Sequence, residues 1–155
     1  MSNDPFFQMV SVSINFGRVY KPGEINRIFK SIGATLHYDV YAFERNDQVP
    51  IWQSESYIYT TLMNQDAEVD AQESADCVVL NYPLATIGAE YIVKFAEVVE
   101  KLSEEFESHP VLGSRSVDKS SLISHCEKLV TRLMQEWGEE PGSETLRMLI
   151  ENNTG

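Results

Sequence analysis

Residues 66–76 read DAEVDAQESAD, five acids and no base within eleven positions. The first chemistry they suggest is a carboxylate cage for a hard cation. Asp66, Glu68 and Asp70 have the alternate spacing of the first ligands of a calcium loop. Such a loop then turns sharply on a glycine at its sixth position and closes with a bidentate glutamate at its twelfth. Ala71 and Cys77 stand there instead, and a strand-like segment follows where a helix is required. A looser magnesium or calcium site of two or three carboxylates and water is the minor alternative. The spacing predicts no metal and no cofactor. The stretch reads as an exposed loop whose Asp66, Glu68, Asp70 and Glu73 are available to a cationic partner.

Acid–base and nucleophilic chemistry find less support. His37 and Asp39 stand two residues apart on a predicted strand, with Tyr41 beyond them, and a His–Asp pair can orient a general base. The commoner role of such a face is to be polar and half exposed. His125 and Cys126 are helix neighbours, about 100° apart, so they cannot face one site together. His109 precedes Pro110 in a loop, and no paired Cys or His spacing suits zinc. Neither a G-x-S-x-G elbow nor a phosphate-cradling G-x-x-x-x-G-K occurs. The GSRS at 113–116, just before a helix, could meet an anion through Arg115 and the helix amides. A loop leading into an N-cap explains the same letters. Tyr57 and Tyr59 share one strand face and Trp52 the other; aromatics on a sheet can stack single-stranded bases, but only beside a basic groove.

Charge weighs against that groove. The 155 residues hold 24 acids and 12 bases, a formal net charge of −12. Residues 1–45 carry four acids against five bases, which leaves twenty acids against seven bases, a net of −13, on residues 46–155. Such a field repels nucleic acid and anionic membranes and steers basic proteins inward. No apolar run approaches the roughly 20 residues of a membrane helix. The start, MSNDPFFQMVSVSINF, lacks the basic region and long apolar core of a signal peptide. Cys77 and Cys126 are read as reduced thiols, which with the absent signal predicts a cytoplasmic location.

The elements that must position these residues follow from periodicity. In FQMVSVSINF, Val10, Val12, Ile14 and Phe16 alternate with Ser11, Ser13 and Asn15, the pattern of a strand with one buried face. KPGEINRIFKSIG places Ile25, Ile28, Phe29 and Ile32 at helical spacing, with Pro22 suited to the start and Gly33 to the left-handed end. ATLHYDVYAFE predicts a second strand with Leu36, Tyr38, Val40 and Ala42 on one face. IWQSESYIYTTLM and CVVLNYPL predict a third and a fourth. From Thr86 to about Glu107 the period becomes helical, with Phe95, Val98 and Leu102 inside and Glu97, Glu100, Glu104 and Glu105 outside. SHPVLGSRS reads as a break. A helix from Asp118, its N-cap, to Trp137 follows, stopped by Gly138, and Ser143 caps a last short helix containing Leu146, Leu149 and Ile150.

The order β-α-β-β-β-α-α-α predicts a single α+β domain over residues 1–155. It is a two-layer sandwich of about four antiparallel or mixed strands with helices on one face. Residues 108–155 are expected to form a helical extension of the same core. In function the expectation is a non-catalytic acidic protein-binding domain, most concretely a toxin-neutralising immunity or antitoxin-like inhibitor of a basic partner. Asp66, Glu68, Asp70 and Glu73 form one expected contact face, and Glu100, Glu104 and Glu105 form another. Two alternatives stand beside it. One is a small enzyme or ligand sensor using His37, Asp39 and Tyr41. The other is an assembly subunit, a homo-oligomer joined through exposed sheet or the Trp137 region.

Overall fold

A computed structural model describes residues 9–37, 40–44, 56–64, 67–68, 74–145 and 148. The architecture is α+β: one antiparallel sheet with its helices packed on one face. In chain order the elements are β1 (Val10–Tyr20), α1 (Pro22–Ser31), β2 (Thr35–His37), β3 (Val40–Glu44), β4 (Ser56–Asn64), β5 (Ala67–Glu68) and β6 (Ala75–Tyr82). Then come α2 (Leu84–Ile87), α3 (Ile92–Glu105), β7 (Pro110–Leu112), β8 (Arg115–Ser116) and α4 (Lys119–Trp137). The strand order is β2-β3-β4-β6-β1-β7-β8, with β5 paired to β4 off this path.

The central register follows the alternation of the sequence. Val10, Val12 and Ile14 of β1 pair with Tyr82, Leu80 and Val78 of β6, and all six are buried against the helices. Each such side chain withdrawn from water contributes roughly 1.5–3 kcal/mol. On the other face Ser11 pairs with Asn81 and its hydroxyl lies 2.6 Å from Asn81 Oδ1. The helices meet the sheet as their stripes require: Ile25 and Phe29 of α1, Phe95, Val98 and Leu102 of α3, and Leu122, Cys126 and Leu133 of α4 are buried. Pro22 opens α1. Gly33, at φ +95°, ends it by donating its N–H to the Lys30 carbonyl, while Ala34 N–H reaches Phe29.

Several strand and helix bounds differ from the periodic reading. The expected second strand is a hairpin: His37 pairs with Val40, Leu36 with Tyr41 and Thr35 with Ala42. Tyr41 is therefore opposite Leu36 on the inner face. The expected long helix from Thr86 is interrupted. Gly88 has φ +99° and ψ −178°, which no helix accommodates, so α2 stops and α3 begins afresh at Ile92. The supposed break SHPVLGSRS contains the β7–β8 hairpin, which extends the sheet beyond β1 through Ser13 with Val111 and Ile14 with Pro110. Strands of two and three residues are too short to show a period of two, so periodicity alone resolves about four. Leu146, Leu149 and Ile150 lie outside the described residues.

One irregularity shapes the core. Between Asn15, opposite Cys77, and Tyr20, opposite Ala75, β1 bulges outward through Gly17 at φ +78°. The bulge tips Phe16 and Tyr20 onto Phe106 at the end of α3. Phe16 stacks on it at 3.8 Å between centroids and Tyr20 meets it edge-on at 5.0 Å. Arg18 covers the outside of Tyr20, 3.7 Å above the ring, and reaches Glu24 at 3.3 Å. Opposite the bulge Asp76 is buried, and its Oδ1 is the buried side-chain polar atom left without a hydrogen-bond partner among the described residues.

Candidate partner-binding cleft

Phe106 pins the end of α3 to the bulge, and the chain must then reverse into β7. It does so with Glu107 in the left-handed conformation, φ +51°. Glu107 N–H donates to the Glu104 carbonyl at 3.1 Å and Ser108 N–H to the Ser103 carbonyl at 2.9 Å, the paired bonds of a Schellman ending. A non-glycine residue in that conformation costs about 1–2 kcal/mol. The reversal leaves a cleft of about 380 Å³ between α3, the following loop and the first turn of α4.

The floor of the cleft is apolar: Ala96 and Val99 from α3 and Leu122 from α4 are buried, with Pro110 and Val117 at its end. Its rim is acidic. Glu100, Glu104 and Glu107 succeed one another at intervals of four and three, one stripe along α3 and its ending, and all three are exposed. Like charges so spaced repel by roughly 0.2–0.5 kcal/mol per pair. Of the other charges in the cleft, Lys119 Nζ is engaged by Glu97 at 3.5 Å. Asp118 caps α4, accepting the Ser121 N–H at 2.8 Å, and that bond holds its carboxyl below the usual carboxylate range. His109 is exposed at the mouth. Glu100, Glu104 and Glu107 are thus left without an ion pair among the described residues.

The residues expected from sequence fall in four places. Glu100 and Glu104 line the cleft, whereas Glu105 is exposed on α3 outside it. Glu68 lies in β5, its backbone paired with Met63. Asp66, Asp70 and Glu73 lie outside the described residues. Glu107, Asp118 and Lys119 were not expected at this site. The only sequence signal for Glu107 was its i+3 distance from Glu104, and the predicted helix end there obscured it.

Tyr41 was the third residue of the catalytic alternative. Tyr41 is core, 1% exposed, stacked on Phe29 at 4.5 Å, with its hydroxyl bonded to Asn26 Oδ1 at 3.0 Å. Burial also raises its pKa. In the hairpin the His37 backbone pairs with Val40, and Asp39 lies outside the described residues. The thiols are poor nucleophiles as well. Cys126 is buried and its pKa is pushed up to about 12, chiefly by desolvation and secondarily by Glu127. Burial and the charge of Asp76 raise Cys77. Among the described residues no three His, Cys, Asp or Glu side chains gather as a metal set, and no helix is long and apolar enough to cross a membrane. Neither a protein-family model nor a curated protein sequence matches the chain.

Proposed function

We propose that this chain is a non-catalytic, cytoplasmic protein-binding domain that inhibits a basic protein, as a toxin-neutralising immunity or antitoxin-like protein does. The observation that carries this reading is the α3–α4 cleft. An apolar floor beneath an acidic rim suits a lysine or arginine side chain, whose alkyl stem lies on carbon while its head meets carboxylates. The stripe of Glu100, Glu104 and Glu107 also gains from such a partner, because a cation between them relieves their mutual repulsion. The remaining excess of acid, including Asp66, Glu68, Asp70 and Glu73, draws a basic protein toward that rim from a distance. Inhibition of this kind needs a complementary surface and no chemistry.

The test is association kinetics with the protein captured from native lysate. Glu100→Gln, Glu104→Gln and Glu107→Gln together are expected to slow association about tenfold or more at low ionic strength, and to shorten the lifetime of the complex. Neutralising Asp66, Glu68, Asp70 and Glu73 instead is expected to change the on-rate alone. Both on-rate differences shrink as salt screens them. A partner that binds the cleft variant as fast and as long as wild type overturns the reading.

A further inference from the structure

A second groove lies on the other side of the first turns of α4, and its chemistry is opposite. It encloses about 670 Å³ between the β7–β8 hairpin and α4, and Arg115, His125 and Lys128 line it together with Ser116 and Ser124. Among the described residues no carboxylate lines it, on a chain whose net charge is −12. We propose that this groove binds a small phosphomonoester, with Arg115 and Lys128 meeting its charge and Ser116, Ser124 and His125 supplying further hydrogen bonds.

The placement follows from two local rules. Ser121, Ser124, His125 and Lys128 are linked by intervals of three and four, so they form one stripe on α4 beside its buried Leu122 and Cys126. Arg115 is brought opposite them by the hairpin. Leu112 pairs with Arg115 across Gly113 and Ser114, and Gly113 has φ +66° with no positive φ at Ser114. That is the Gly-X signature of a tight two-residue turn.

The donors are free for a ligand. Arg115 and Lys128 make no ion pair among the described residues, and Ser116 and Ser124 make no side-chain hydrogen bond there. The neighbouring acid, Asp118, is occupied by the Ser121 N–H, and the Ser121 hydroxyl by the Asp118 backbone. The amides of the helix end are therefore already capped and are not the binding element. Burial and the charge of Lys128 hold His125 below its ordinary pKa, so a neutral ring can donate one hydrogen bond without adding charge.

Two fixed cations match the charge of a phosphomonoester, about −1.5 to −2, better than that of a carboxylate. The fork of an arginine and several single donors also outnumber what two carboxylate oxygens accept, whereas three terminal phosphate oxygens can use them. Screening beyond about 8 Å at physiological salt leaves the local cations, not the distant acids, to decide the sign.

The experiment titrates the full chain with inorganic phosphate, phenyl phosphate, acetate and phenol at constant ionic strength, followed by amide NMR shifts. Shifts confined to residues 112–128, saturating in the millimolar range or below for a phosphate and absent with acetate and phenol, are expected. Arg115→Gln and Lys128→Gln should each weaken binding about tenfold, with circular dichroism unchanged because both side chains are exposed. Equal binding of the two phosphates shows that the groove reads the phosphate group alone. Tighter binding of the ester shows that the groove also reads the organic group. Absence of saturation, equal shifts with acetate, or wild-type affinity in both variants overturns the proposal, and none of these results touches the acidic cleft.

Discussion

The acidic cleft and the cationic groove flank the same few residues of α4 and share Val117, yet one is rimmed by carboxylates and the other by Arg115 and Lys128. The whole-chain charge of −12 describes the first and misdescribes the second. At low salt the summed field steers approaching partners; at contact, screening beyond a Debye length leaves each concave surface to its own side chains. Sign reversal on this scale is set by which face of a helix a residue occupies, and Ser121, between the two, is tied to Asp118.

The largest expected effect breaks the cleft alone. Phe106→Ala removes the ring on which Phe16 and Tyr20 pack and is expected to cost about 3–5 kcal/mol in urea denaturation. The end of α3 and its acidic rim should loosen, while the Arg115 groove, held by the hairpin and α4, keeps its phosphate response below the transition.

The boundary itself is tested next. Asp118→Ala uncaps α4 and should lower Tm by a few degrees at neutral pH. The folded carboxyl is held below its ordinary value, so its contribution is full above the unfolded pKa and disappears as pH falls through the folded one. The Tm difference between wild type and variant should accordingly be constant from about pH 5 to 8 and narrow below about pH 4, where the neutral carboxyl keeps only its uncharged capping bond. A difference that does not narrow in acid would mean that the charge of Asp118 contributes nothing to it.

The smallest effect has the opposite sign. Glu107→Gly relieves the left-handed strain, much as Gly33 ends α1 without it, and is expected to raise stability by about 1 kcal/mol or less. The same change deletes a rim carboxylate, so association with a basic partner should slow while denaturation midpoints rise. Stability and binding moving together would refute the role given to Glu107.

Much of this was written in local sequence. The alternation of Val10, Val12 and Ile14 placed β1 and its buried face, because side chains in a strand can only alternate. Pro22, Gly33, Asp118 and Gly138 marked helix ends, because those ends need a fixed φ, a left-handed residue or a side-chain acceptor. Glu100 and Glu104 were legible as a stripe for the same geometric reason. Tertiary structure decided the rest. Whether ATLHYDVYAFE runs straight or folds back depends on whether β4 can pair with Val40–Glu44 alone. The β7–β8 hairpin exists because β1 offers an edge to Pro110 and Val111, a partner ninety-odd residues away that no local window contains. The cleft joins Glu100 to Asp118 and the groove joins Arg115 to Lys128 only after α4 has docked beside α3. Periodicity specifies which side of each element is wet; docking specifies which wet sides meet, since that depends on contacts between residues far apart in the chain.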